Sequence, residues 1–173
     1  MANIVGEKLI NFEVYAENLR QLGLADVELP TLEALSESIK GAGIAGELDS
    51  PTVGHYGPMS TTLKWRVTED GALKLTAPKV HALELRGAIQ RFNAATGAFD
   101  VLPVKIVMRV IPKSAPLGTM APAAAMEPSM EFSLRYLKVF LAGRAKVEID
   151  PLNFVCVIDG VDYLATTRSA LGL

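Results

Sequence analysis

The chain has 173 residues, 50% of them hydrophobic and 6% aromatic, with a net charge of −2 and one cysteine. That length fits one domain, residues 1–173, whose core needs no metal or disulfide. Weak acidity excludes a protein that grips nucleic acid by neutralising phosphates. No stretch approaches the roughly 18 apolar residues of a membrane-spanning helix, and residues 1–6 lack the basic and apolar regions of a secretion signal.

Apolar residues at Ile10, Phe12 and Val14 alternate with polar ones and predict a first strand. Residues 19–24 read as a turn or short helical connection broken at Gly23. Leu35 and Ile39 share one face with Glu33 and Glu37, and Ser36 and Ser38 the other. A strand is preferred there, although Leu32, Leu35 and Ile39 also fit a helical spacing. Residues 41–59 hold five glycines with Pro51 and Pro58 and read as a long loop without regular structure, a length that usually signals function. Leu63, Trp65 and Val67 alternate in a further strand, and residues 71–77 allow a short helix.

Two strands follow, over residues 80–92 and 99–111; Gly87 would cost roughly 1 kcal/mol inside a helix, which favours the strand reading of the first. Pro112, Pro116, Pro122 and Pro128 predict an exposed, mobile, irregular loop over 112–129. The C-terminal third reads as a long antiparallel hairpin turning at Ala142-Gly143-Arg144. Phe132, Leu134, Tyr136 and Phe140 fall on one side of its first arm, and Val147 and Ile149 alternate with Lys146, Glu148 and Asp150 in the second. The outward positions then become apolar at Val155 and Val157, which predicts burial against another surface, a neighbouring subunit being one option. Val161, Leu164 and Leu171 would share a face of a terminal short helix.

Little here suggests catalysis. Residues 41–46 spell GxGxxG, but the pattern holds a pyrophosphate only where a helix starts inside it, and Pro51 and Gly54 leave no room for one. His55 and His81, with Cys156 on an apolar strand face, have no metal-ligand spacing. Asp49, His55 and Ser60 could be drawn as a triad, yet no nucleophile elbow supports it. Glu84, Glu131, Glu148 and Asp150 each neighbour basic residues, as cross-strand ion pairs would. The expectation is therefore no enzyme and no cofactor.

An ordered set of segments carries a resemblance: Lys40-Gly-Ala-Gly-Ile-Ala-Gly46, Leu85-Arg-Gly-Ala-Ile-Gln90, Glu148-Ile-Asp-Pro-Leu-Asn153, Asp159-Gly-Val-Asp162 and Arg168-Ser-Ala-Leu-Gly-Leu173. In this order the chain resembles the major tail tube proteins of contractile-tailed bacteriophages, departing only in its Ala- and Pro-rich segment 112–129. The resemblance implies a mainly β fold, two packed antiparallel sheets in a small barrel-like domain with one or two short helices. It further implies a hexameric ring that stacks into a tube, with inner sheets joined edge to edge around a lumen. Sheath protein would surround the tube, tape-measure protein and DNA would occupy the lumen without tight binding, and a baseplate or hub and a tail terminator would close the two ends. Such a protein is assembled in the bacterial host cytoplasm, belongs to the virion and has no stable membrane association. DNA-free contractile injection particles and tail-like bacteriocins share the fold.

Under that reading Gly41, Gly43, Ile44 and Gly46 form a contact loop towards an adjacent subunit or ring. Small or acidic side chains at Ser36, Ser38, Glu148 and Asp150 are expected to face the lumen. Six chains of −2 give a wall of roughly −12, along which a polyanion slides without sticking. A reading of another class, a monomeric β-barrel for a small apolar ligand, would close the same strands within one chain.

Overall fold

The computed structural model describes residues 3–17, 19–21 and 23–173. In chain order it comprises β1 (Ile4–Ala16), β2 (Leu19–Gln21), β3 (Leu24–Glu28), β4 (Ala34–Ile39), β5 (Leu48–Tyr56), β6 (Ser60–Trp65), helix α1 (Asp70–Lys74), β7 (His81–Asn93), β8 (Ala98–Ser114), β9 (Ser129–Leu141) and β10 (Arg144–Asp150). A 3-10 turn (Pro151–Asn153), β11 (Val155–Ile158), β12 (Val161–Asp162) and α2 (Ala165–Leu171) complete it. The mainly β architecture expected from period-two alternation is present, with two short helices. Residues 19–24, expected as a turn or helical connection, instead supply β2 and the start of β3.

Strands are ordered β12-β11-β10-β9-β8-β7-β1-β2, all neighbours antiparallel. β9 is the branch point. One of its edges pairs with β8; the other pairs with β6 near Ser129 and Ser133 and with β10 from Leu137 onward. β3 extends β6, so two arms diverge from one strand. The core lies between them and the main layer: Leu63 and Trp65 of β6 cluster with Val14, Leu83, Leu85, Met108, Val110, Phe132, Leu137 and Ile149. The sheet path ends at β2 and β12, so among the described residues it does not close into a barrel.

A bulge corrects the expected faces of β9. Arg109 pairs with Tyr136 but Val110 with Leu134, which leaves Arg135 extra and exposed. One inserted residue flips all that follows to the other face. Phe132 and Leu134 are buried as expected, but beyond Arg135 the inward residue is Leu137, and Tyr136 and Phe140 turn outward. The hairpin itself turns on Ala142 and Gly143, with φ of 49° and 76°, the pair of positive values that a two-residue turn between twisted strands requires.

Two expected loops are more ordered than proline and glycine counts suggested. Within 41–59, residues 48–56 form β5, paired with β4 in a separate two-stranded sheet. Pro51 is tolerated because such a strand has a free edge where no N–H is needed. Gly54 takes φ +68°, and a side chain there would meet Leu164 Cγ at 2.7 Å. In 112–129, β8 runs on through Pro112, beyond the end of β7's pairing at Val110. The rest is stitched to β6: Trp65 N donates to the Pro128 carbonyl at 2.9 Å and Met126 N to that of Arg66 at 2.9 Å, while Thr119 N closes on Met126 at 2.8 Å. Near the C-terminus only Leu164 of the predicted helix face is buried; Val161 and Leu171 are exposed, because α2 begins after Leu164.

Candidate assembly surfaces

Residues that alternate with the core on β1, β7, β8, β9 and β10 form an open face of the main layer. Its cations are held by neighbours. Arg86 donates to Glu84 and lies 4.8 Å from the Tyr15 ring centroid. Arg109 stands 5.5 Å from the ring of Tyr136, while Lys105 and Lys138 flank Phe140 at 4.7 and 5.4 Å. Glu148 binds Lys138 Nζ at 2.8 Å and accepts from the Tyr136 hydroxyl at 2.7 Å.

These contacts shift protonation. Lys138 holds the Glu148 carboxyl below its ordinary range, helped by the Tyr136 hydroxyl and opposed by burial. The Tyr136 phenol is pushed up to about 12, first by burial and then by its bond to Glu148. Both shifts favour the hydrogen-bonded arrangement of carboxylate and intact phenol.

The β4–β5 hairpin projects from a narrow root. At that root the Tyr56 hydroxyl meets Cys156 Sγ at 4.0 Å and Leu164 covers Gly54. Gly41, Gly43, Ile44 and Gly46 are at its tip, all exposed. Gly43 and Gly46 have φ of +90° and +133° with open space where a side chain would stand, so these glycines answer to backbone conformation. Ser36 and Ser38 lie on β4, with Ser38 donating to Glu47. They are thus in a different sheet from Glu148 and Asp150. Of that last pair, Glu148 is on the open face. Asp150 is occupied in capping the 3-10 turn, accepting from Leu152 N and Asn153 N at 3.2 Å each and from Asn153 Nδ2 at 2.6 Å.

The far end of the main layer carries apolar surface. Ile4, Val5, Leu9 and Ile10 of β1 and Phe99 and Val101 of β8 are exposed there, with Phe92 and Phe99 rings 5.4 Å apart. Sequence reasoning put Tyr136 and Phe140 on the core side, because β9 was read without its bulge, and so did not bring them together with the basic residues of β7 and β8. Their signal was available in part: Glu84, Arg86 and Lys105, Arg109 alternate against the core positions of β7 and β8.

His81 is buried, with Nε2 3.0 Å from the Ala77 carbonyl and Nδ1 3.2 Å from Glu17. It ties the start of β7 to the end of β1. Among the described residues no group of His, Cys, Asp and Glu is placed to hold a metal.

Residues 6–172 match the family described as phage tail tube protein FII. The chain belongs to this family. It is 28% identical over 178 aligned positions to the tail tube protein of Escherichia phage P2, covering 96% of each chain. In fold it is similar to the sheath/tube terminator of an extracellular contractile injection system, PVC, in the extended state, with a TM-score of 0.54 at 10% identity, covering 79% of this chain and 97% of that one. The protein is a phage tail tube protein, a structural component of the tail.

Proposed function

We propose that six copies of this tail tube protein join by their sheet edges into a ring, and that rings stack into a hollow tube whose bore is the open face of the main layer. DNA travels through that bore into the host after the surrounding sheath contracts. Tape-measure protein occupies it beforehand, a baseplate or hub starts the tube and a terminator ends it, all assembled in the host cytoplasm.

The observation that carries this reading is the open face itself. Arg86, Lys105, Arg109 and Lys138 are each engaged by carboxylates or ring faces of the same sheet. Cations so occupied offer little to a passing phosphate, which suits a conduit better than a binding groove. Glu148 keeps its proposed place on the bore. Ser36 and Ser38 go with the hairpin, in contact between subunits.

Negative-stain electron microscopy across a concentration series tests the proposal. Six-fold rings or hollow tubes of one bore are the expected result. Monomers that persist at high concentration, and still fail to assemble on an added baseplate, would overturn it.

A further inference from the structure

We infer that His81 is a proton-dependent clasp within the subunit, whether or not the chain is part of a tube. With a proton on each ring nitrogen it fastens the turn after β1 and the connector between α1 and β7 to the start of β7. Without the second proton it releases one of the two.

The geometry around the ring carries this. His81 is 1% exposed, which leaves its nitrogens to partners within the protein. Nε2 faces the Ala77 carbonyl at 3.0 Å and Nδ1 faces Glu17 Oε1 at 3.2 Å. A carbonyl and a carboxylate only accept, whereas a neutral imidazole has one N–H and one lone pair. Either neutral tautomer therefore turns a lone pair on a lone pair, at Ala77 in one case and at Glu17 in the other. The imidazolium donates to both. Moving the second proton to Glu17 would also satisfy the ring, but Lys79 Nζ is 2.8 Å from the same Oε1. Lys79 first, with His81 in the same direction and burial opposing, holds the Glu17 carboxyl below its ordinary range.

Three segments meet at this ring. Glu17 leaves β1 with φ 50° and its N–H donates to the Ala82 carbonyl at 3.0 Å. The Ala77 carbonyl also accepts from Lys79 N at 2.7 Å, inside the connector of residues 75–80. The charged groups on the ring are thus Glu17 from the turn and, behind it, Lys79 from the connector. On the β8 side the paired residue is Val110, buried and apolar, which offers no bond in exchange. Histidine changes charge between about pH 5 and 8. The clasp is complete where Glu17 is ionised and His81 protonated, so the stability it contributes is present at the acid end of that range and is lost as pH rises.

Nitrogen NMR and urea unfolding test the clasp together. The chain has two histidines, so His55→Gln, on exposed β5, leaves His81 as the one ring observed. Protein labelled with nitrogen-15 in histidine should show two protonated ring nitrogens at pH 5.5 and one at pH 8.5. Its urea midpoint should fall by about 0.5 M over the same interval, the size expected of a hydrogen bond to a charged group. Adding Glu17→Gln should level that slope, since an amide can accept from the protonated ring or donate to the neutral one. A histidine with a packing role alone would leave the slope the same in both proteins. A ring with one proton at pH 5.5, a ring that keeps two at pH 8.5, or parallel slopes with and without Glu17→Gln would overturn the clasp. The nitrogen spectrum needs no substitution at the clasp itself, so it decides even where Glu17→Gln fails to fold.

Discussion

The Lys138–Glu148–Tyr136 group is where single residues of the open face can be tested. Glu148 titrates below its ordinary value of 4.5 in the folded chain, so between the two values the unfolded chain binds more protons. Its contribution to stability is therefore complete above about pH 4.5 and is lost as pH falls through the folded value. Tyr136 has the opposite sign: its contribution is present below pH 10 and is lost as pH rises towards about 12. Glu148→Gln should lower stability by about 1.5–3 kcal/mol at pH 7, the range for a hydrogen bond to a charged group. Urea midpoints of the two proteins should converge as pH drops from 5 to 3. A gap that stays constant over that interval would mean that the carboxylate's charge contributes nothing.

At the scale of elements, the bulge at Arg135 decides which half of β9 faces the core. Deleting Arg135 would remove the extra residue and restore unbroken alternation with the present faces, Leu134 and Leu137 inward and Tyr136 outward. The core side chains then stay where they are. Near-ultraviolet circular dichroism and a cooperative unfolding transition should be kept; loss of both would show that β9 needs the local twist of the bulge itself. The same bulge explains why the sequence was only partly legible. Alternation found the long strands β1, β7, β8 and β9, since each keeps period two over many residues. It could not reveal an insertion whose evidence is the partner's register, so Tyr136 and Phe140 were expected inside. β5 was hidden differently. Pro51 and Gly54 break central strands, yet an edge hairpin accepts both, and nothing local says that a segment is an edge. The exposed turn around Gly43 was legible from its glycines, whereas the apolar groove lined by Leu9, Gly87 and Val104 needs three strands brought together, a property of the tertiary arrangement alone.

For the whole molecule, the balance of forces in assembly follows from what is exposed. The chain carries only −2, while Leu9, Leu35, Leu48, Val53, Phe99 and Val101 remain half or more uncovered or nearly so. Contacts between copies should then be driven mainly by apolar burial, with charge in a minor part. Apolar association weakens on cooling and is strengthened by salts excluded from protein surfaces, such as sulfate. An electrostatic contact would instead be screened by added salt. The concentration at which tubes first scatter light should accordingly fall in ammonium sulfate, change little between 50 and 300 mM sodium chloride, and rise when the sample is chilled towards 4 °C. Calorimetry of the same step should give a negative heat-capacity change, the robust sign of buried apolar surface. A threshold that climbs steeply with sodium chloride would transfer the driving force to ion pairs. In that case the charged residues of the hairpin, Glu37, Glu47 and Asp49, would be the ones to replace next, ahead of Leu35, Ile39 and Leu48.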